Sequence, residues 1–199
     1  MSLGWLELVL NSLLTLYINV VLVCLLAVVA VGYLSRRNYR EVLQCLGVVR
    51  LTLNNMTRGI IWGLLLAGGV FVFENMILGP TGEEDQFYQF LNNIDQGLLP
   101  IVYIKLMLGG LVISLCAGVA EEVIYRGALQ PRLGIIYTSI LFVLIHAQYI
   151  LHWEGLVIVF GFSLLFGKLR QKYDTTTTMV VHTVYDVVIF TLAIFNPFY

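Results

Sequence analysis

Charged residues are scarce in this sequence. Asp, Glu, Lys and Arg make up only 12% of the 199 residues, whereas 59% are hydrophobic and the mean hydropathy is +0.89. Soluble domains carry about 25% charged residues, so the composition argues against a soluble protein and predicts an integral membrane protein in contact with the lipid bilayer. The net charge of -1 offers no basic surface, and we expect no nucleic acid as a partner.

Cysteines are few, and strand patterns are absent. The three cysteines, Cys24, Cys45 and Cys116, are odd in number and widely spaced, which argues against a disulfide framework and a CxxC metal site. The alternating pattern of a β-barrel is absent, so helices remain as the way to satisfy the backbone hydrogen bonds in lipid. The N-terminus has no basic segment before its apolar run, which favours a retained helix over a cleaved signal peptide. We expect an all-α, polytopic membrane helix bundle that forms one domain over residues 1–199.

Long apolar runs dominate what is present. A transmembrane helix needs about 20 apolar residues. Six runs approach this length, at residues 6–34, 60–78, 98–120, 135–150, 156–169 and 177–195. The sequence therefore predicts about six transmembrane helices.

The placement of charge predicts the topology. Ten of the eleven basic residues follow the first, third or fifth run: Arg36, Arg37, Arg40, Arg50, Arg58, Arg126, Arg132, Lys168, Arg170 and Lys172. The other two connections carry only acidic charges: Glu83, Glu84, Asp85, Asp95 and Glu154. Because basic loops stay in the cytosol, both termini are expected outside, in a prokaryotic cytoplasmic membrane.

Two connecting segments have features of their own. Residues 41–53 mix arginine with Val, Leu and Cys, which predicts a segment along the cytosolic interface. Asp174 is expected to cap the last helix, because its side chain can accept hydrogen bonds from the amides of the first turn. We interpret threonines 175–178 otherwise as a polar linker.

Ionisable residues inside the apolar runs are costly in lipid and mark ion pairs or functional sites. In chain order these residues are Glu74, Lys105, Glu121, Glu122, His146, His182 and Asp186. Glu74 and Lys105 lie toward the outer side, and we interpret them as an ion pair or as snorkelling charges. The other five come from three helices in the cytosolic half of the bundle. We expect them to converge, with Glu121, His146 and His182 around one buried water.

The stretch AEEVIYRG, residues 120–127, suggests different roles for its two glutamates. Glu122 and Arg126 are spaced i,i+4 with the acid first, the favourable order for a helical ion pair. Glu121 points about 100° away on a helix and has Tyr125 at i+4, so it has no such partner. A carboxylate left free in this way can take a proton from water as a general base.

His182 and Asp186 are also spaced i,i+4, on the last helix. Asp186 can fix the tautomer of His182 and leave the second ring nitrogen to donate toward a developing negative charge. A polar contact between packed helices is the alternative interpretation. His152 lies in a short outer connection beside Trp153, and we expect it at the surface.

These residues resemble the motifs of a known family. EEVIYRG resembles EExxxR, LFVLIH (Phe142, His146) resembles FxxxH, and HTVYD (His182, Asp186) resembles HxxxN/D. The three motifs in this order are typical of the CAAX prenyl endopeptidase and bacteriocin-processing proteins, the CPBP or Abi family of intramembrane glutamate proteases. The resemblance covers about residues 118–187, within a motif-bearing core of residues 98–195.

The resemblance implies an endopeptidase that needs no metal or cofactor and cuts a peptide or membrane-protein substrate. Glu121 would activate the water with help from His146, His182 and Asp186 would line the oxyanion site, and Glu122 with Arg126 would support the arrangement. Asp186 stands where asparagine is frequent, and Val143 where glycine is common. An ionised aspartate cannot donate to an oxyanion, so Asp186 either acts protonated or only orients His182.

Other functions stay open. Glu121, His146 and His182 could form a three-ligand zinc site of a hydrolase. A peptide-binding or bacteriocin-immunity protein could use the same polar cluster without cutting. Other intramembrane proteases fit worse: residues 161–164 (GFSL) lack the last glycine of a GxSG serine site, there is no HExxH, and Asp186 is the only intramembrane aspartate.

Overall fold

The computed structural model describes residues 3–33, 35–73, 97, 99–146 and 153–195, with the backbone alone for residues 3–10, 12, 13, 153 and 154. The described residues contain seven α-helices and one π-helix: α1 (Leu3–Ala30), α2 (Tyr39–Leu46), α3 (Leu53–Phe73), α4 (Leu99–Glu121), the π-helix (Glu122–Leu129), α5 (Gln130–Ile145), α6 (Trp153–Lys172) and α7 (Thr175–Phe195). Within the described ranges no strand is present. The prediction of an all-α protein is confirmed.

The predicted transmembrane segments coincide with α1, α3, α4, α5, α6 and α7. Three helical stretches are long and apolar enough to cross a membrane, namely Leu53–Phe73, Leu99–Ile145 and Thr175–Phe195. Leu14–Ala30 is a shorter apolar stretch. An integral membrane protein is thereby supported, while the count of six spans and the outer termini stay predictions. Glu74, Glu83, Glu84, Asp85, Asp95 and His152 lie outside the described residues.

Helix α7 packs against α3 and α4 through glycines. On α3, a Cβ atom at Gly63 would lie 2.7 Å from Val184 Cβ and 2.9 Å from the Val181 carbonyl oxygen. Gly118 on α4 faces Thr183 at similarly close range. Small residues let helix backbones approach in a membrane, where lipid tails are as apolar as the side chains. The glycines therefore hold α7 and its polar residues at the centre of the bundle.

The threonine run does not form a linker. Threonines 175–178 are buried in the first turn of α7, which corrects the interpretation of this run as a polar connection. Thr175 Oγ1 donates to the Leu46 carbonyl oxygen at 2.6 Å, and Thr176 Oγ1 lies 2.9 Å from both the amide nitrogen and the carbonyl oxygen of Val49. Asp174 Oδ1 accepts from the Thr177 amide at 2.6 Å, so the predicted N-cap is confirmed.

Helix α2 contacts α1, the π-helix and the start of α7. Asn38 and Glu41 form a capping box at its start, and Gly47 ends it with a φ of 66°, a conformation that favours glycine. Val42 and Leu46 are buried in a cluster with residues of α1 and the π-helix. A Cβ at Gly127 of the π-helix would lie 2.9 Å from the Leu46 carbonyl oxygen. The end of α2 therefore contacts both the π-helix and α7.

Candidate active site

The π-helix carries the predicted EExxxR residues. Glu121 is the last residue of α4, and the hydrogen-bond pattern widens from Glu122 to Leu129. π-Helical turns are rare and frequently lie at functional sites. Six of the eight residues of this π-helix are buried: Glu122, Val123, Tyr125, Arg126, Gly127 and Ala128. From the sequence, α-helical spacing was assumed for Glu122 and Arg126, whereas the structure has a π-helix over these residues.

A buried chain of charged side chains links the π-helix to α7. Arg126 Nε lies 3.4 Å from Glu122 Oε2, and both side chains are fully buried. This confirms the predicted Glu122–Arg126 pair. Glu122 Oε1 lies 3.1 Å from His182 Nδ1, and His182 Nε2 lies 3.5 Å from Asp186 Oδ2. Four of the predicted site residues are therefore brought together.

The orientation of His182 differs from the expectation. Asp186 was expected to fix its tautomer, but Glu122 contributes the shorter contact, to Nδ1. A carboxylate only accepts hydrogen bonds, so Nδ1 donates. Nε2 is left facing Asp186 at a distance longer than a good hydrogen bond. The orienting role therefore belongs to Glu122, with Asp186 beside the nitrogen that is open to a ligand.

Arg126 is held by Phe142 of the FxxxH motif and by two residues of α6, Ser163 and Phe166, for which the sequence indicated no such role. Its Nη2 donates to Ser163 Oγ of α6 at 3.2 Å. Its guanidinium carbon lies 4.9 Å from the ring centre of Phe142 and 5.7 Å from that of Phe166. Cation–π contacts of this kind stabilise a desolvated charge. Ser163 and Phe166 are one helical turn apart on α6. From the sequence, only this spacing could have indicated that the two side chains lie on the same face of the helix.

Helix α5 brings Phe142 and His146 to this cluster. The helix turns at Gly134, where φ is 77°, and ends at Ile145. His146 Nδ1 lies 2.7 Å from the Phe142 carbonyl oxygen. Because a carbonyl only accepts, Nδ1 donates and a neutral His146 presents Nε2 as an acceptor.

Two cavities flank the predicted residues. The first, which we name the α6–α7 cavity, has a volume of about 330 Å³ and is lined by His146, His182 and Asp186 among others. The second, the α1–α4 cavity, has a volume of about 460 Å³ and contains Glu121 in its wall. Phe142 lines the first cavity and Tyr125 the second, and their rings meet edge to face at 5.1 Å. The two rings thus stand between the cavities.

Glu121 differs from Glu122 in its partners. Its Oε2 atom is buried and accepts no hydrogen bond from any residue that the structure describes. Glu122, one position later, contacts both Arg126 and His182. Glu122 Oε2 likewise accepts no hydrogen bond from the described residues, so the two glutamates differ through the Glu122–Arg126 ion pair and the Glu122–His182 hydrogen bond. Glu121 does not line the cavity that contains the imidazoles, although one shared water was expected.

The zinc alternative requires three ligands around one point. Among the described residues, no three His, Cys, Asp or Glu side chains are arranged to hold a metal ion. Glu121, His146 and His182 all belong to the described residues, and they do not form such a group in this structure.

A comparison with protein families matches part of the chain. The model of the Rce1-like type II CAAX prenyl endopeptidase family matches residues 103–188. This segment contains Glu121, Glu122, Arg126, His146, His182 and Asp186, and helices α1 to α3 precede it. The match confirms the resemblance that the three motifs indicate. No curated protein and no solved structure matches the chain significantly.

Proposed function

Because residues 103–188 match a family of membrane proteases, we propose that the protein is an intramembrane endopeptidase that hydrolyses a peptide bond with a glutamate-activated water. The observation that carries the proposal is the buried chain Arg126–Glu122–His182–Asp186. Glu121 takes no part in this chain of contacts, so its carboxylate is available for the hydrolysis. The active site would lie on the cytosolic side of the membrane.

Glu121 is the proposed general base. Its unpartnered oxygen can accept a proton from water while the water oxygen attacks the carbonyl carbon of the scissile bond. His146 Nε2 is an acceptor in the wall of the α6–α7 cavity, where it can hold a hydrogen of a water molecule. Glu122 is unsuited to this role, because both of its oxygens face cationic or donor groups in a fully buried position.

His182 is the proposed oxyanion donor. Glu122 fixes its Nδ1, which leaves Nε2 at the wall of the α6–α7 cavity. A carbonyl oxygen placed near Nε2 would gain a hydrogen bond as negative charge develops on it. Asp186 cannot donate when ionised, so its role is to balance the charge of a protonated His182. Arg126 contributes at a distance, by holding Glu122.

The proposed function is tested with the substitution Glu121→Gln, which keeps the shape of the side chain and removes the base. Membrane proteomes of cells with the parent protein and with this variant are compared. We expect at least one peptide to accumulate uncut only in the variant. Glu41→Gln serves as a control, because Glu41 is an exposed carboxylate on α2 far from the site along the chain; it should leave processing intact.

The same experiment separates the other two candidate functions. A binding or immunity protein would keep its phenotype in the Glu121→Gln variant, and no uncut peptide would accumulate. A zinc enzyme would lose cleavage of the identified peptide on treatment with a chelator and regain it with added zinc. Cleavage that persists in chelator and is absent in Glu121→Gln is the result expected for a glutamate peptidase.

A further inference from the structure

Two cations contact one aromatic ring at the end of the bundle where α7 begins. The guanidinium carbon of Arg58, on α3, lies 5.0 Å from the ring centre of Tyr173, and Lys172 Nζ lies 5.3 Å from the same centre. Both cationic residues are exposed. A hydrogen bond with Trp62 and the charges of Lys172 and Arg58 lower the pKa of Tyr173. We name these four residues, Arg58, Trp62, Lys172 and Tyr173, the interfacial cluster.

The two positive charges of the interfacial cluster lack a carboxylate partner. Neither Arg58 nor Lys172 forms an ion pair with any residue that the structure describes. The next carboxylate along the chain, Asp174, accepts hydrogen bonds from the Thr177 amide and from Asn55 Nδ2. Like charges that contact the same ring repel each other, and an anion between them lowers this cost. The interfacial cluster therefore favours a negatively charged ligand.

An exposed apolar stripe on α3 begins one turn after Arg58. Ile61, Leu65 and Val72 follow Arg58 at spacings that place them on the same side of the helix, and their exposed fractions are 52%, 61% and 51%. A Cβ atom at Gly68, within this stripe, would have nothing within 4 Å. Helix α3 is long and apolar enough to cross a membrane, so the stripe lies at the depth of the lipid chains.

We propose that the interfacial cluster binds the phosphate headgroup of an anionic phospholipid, with an acyl chain of the same lipid along the α3 stripe. Basic pockets between membrane helices bind such headgroups, and Trp and Tyr are enriched where the membrane meets water. Charge, aromatic rings and an apolar face are all present here in the order that a lipid requires. The assignment does not depend on the peptidase activity.

The interfacial cluster lies close to residues that support the candidate active site. Trp62 and Tyr173 pack against the buried cluster that contains Phe166. The ring centre of Phe166 lies 5.1 Å from that of His182. A lipid that binds only the folded protein stabilises it, so the bound lipid should raise the melting temperature.

The test compares two lipids that differ in net charge. The full-length protein is purified in dodecyl maltoside and titrated with dioleoyl phosphatidylglycerol or with dioleoyl phosphatidylcholine. Native mass spectrometry counts the lipid molecules retained, and thermal unfolding measures the stabilisation. Both lipids have the same chains and a phosphate, but only phosphatidylglycerol is anionic. We expect its apparent Kd to be at least about tenfold lower, because two basic residues contribute to the binding.

Substitutions locate the binding to the interfacial cluster. Arg58→Gln and Lys172→Gln should each weaken the binding of phosphatidylglycerol about fivefold, the contribution of one basic residue near anionic lipid. Both side chains are exposed, so the variants should melt at the temperature of the parent when lipid is absent. Arg58→Lys keeps the charge and should restore most of the affinity. Arg40→Gln, at an exposed arginine on α2, is the matched control and should bind like the parent.

Inorganic phosphate and dihexanoyl phosphatidylglycerol separate a lipid from a free phosphate. We expect phosphate to leave the melting temperature unchanged, and the short-chain lipid to bind more weakly because its chains do not reach Val72. Phosphate that displaces phosphatidylglycerol and stabilises the protein alone would contradict the lipid assignment. Equal retention of the two dioleoyl lipids, or undiminished binding in both Arg58→Gln and Lys172→Gln, would overturn the site.

Discussion

Replacing Arg126 by methionine tests the buried chain of charges most directly. Methionine keeps much of the length and apolar stem of arginine and removes its charge. Glu122 then loses one of its two partners, and Ser163 loses a donor. Both Arg126 and Glu122 are fully buried, so water cannot replace the lost contacts.

The cost can be estimated from these contacts. Breaking a buried ion pair by removing one partner costs about 3–5 kcal/mol, because the other charge is stranded. His182 remains on Glu122 and limits the loss, so we expect the lower end of this range, about 3 kcal/mol. For a chain of this length, that cost corresponds to a decrease in melting temperature of about 6–12 °C.

The assay is thermal unfolding in detergent, with a double-mutant cycle. Glu122→Gln should also destabilise the protein. The double variant should lose less free energy of unfolding than the sum of the two single losses, by about 1 kcal/mol or more, because Glu122→Gln removes the carboxylate charge that Arg126→Met leaves unpaired. Arg40→Met is the control: Arg40 is exposed on α2, and its loss should change stability by less than about 0.5 kcal/mol. Additive effects, or an Arg126→Met protein as stable as the parent, would refute the pairing.

Three further substitutions test the packing around the site. Gly63→Ala would press a methyl group against the Val181 carbonyl, and we expect a loss of about 1–3 kcal/mol; Gly68→Ala, with open space around it on the same helix, should not lower the melting temperature. Thr175→Val leaves the Leu46 carbonyl without its donor at a cost of about 1–3 kcal/mol, and Thr175→Ser should restore stability in the same unfolding assay. Ser163→Ala should cost about 1–3 kcal/mol and lower the rate of cleavage of the identified peptide, since Arg126 loses an acceptor.

The helices and the local pairs could be predicted because they depend on spacing along the chain. Apolar runs marked α4 and α7, and the i,i+4 spacing was enough to pair Glu122 with Arg126. The contact between Glu122 and His182 could not be predicted in the same way. It depends on the rotation of α7 against the π-helix, which glycines on α3 and α4 set through tertiary packing.

The threonine run is a second example of a long-range contact that the sequence could not predict. Its composition is typical of an exposed connection, and the hydroxyls of Thr175 and Thr176 are buried because carbonyl oxygens of Leu46 and Val49 accept from them. Those acceptors lie 129 and 127 residues away along the chain. No local pattern contains such a partner, so the sequence indicated the cap at Asp174 and missed the burial that follows it.

The contact of residues 46–49 with α7 affects which fragments of the protein can keep the proposed site intact. A fragment trimmed to the segment that matches the family would keep every proposed catalytic side chain and lose α2. The first turn of α7 would then be open to solvent or lipid at Thr175 and Thr176, seven and six residues before His182. The shortest working unit therefore has to include the α2–α3 connection, and chimaeras between relatives should exchange this connection together with the start of the last helix.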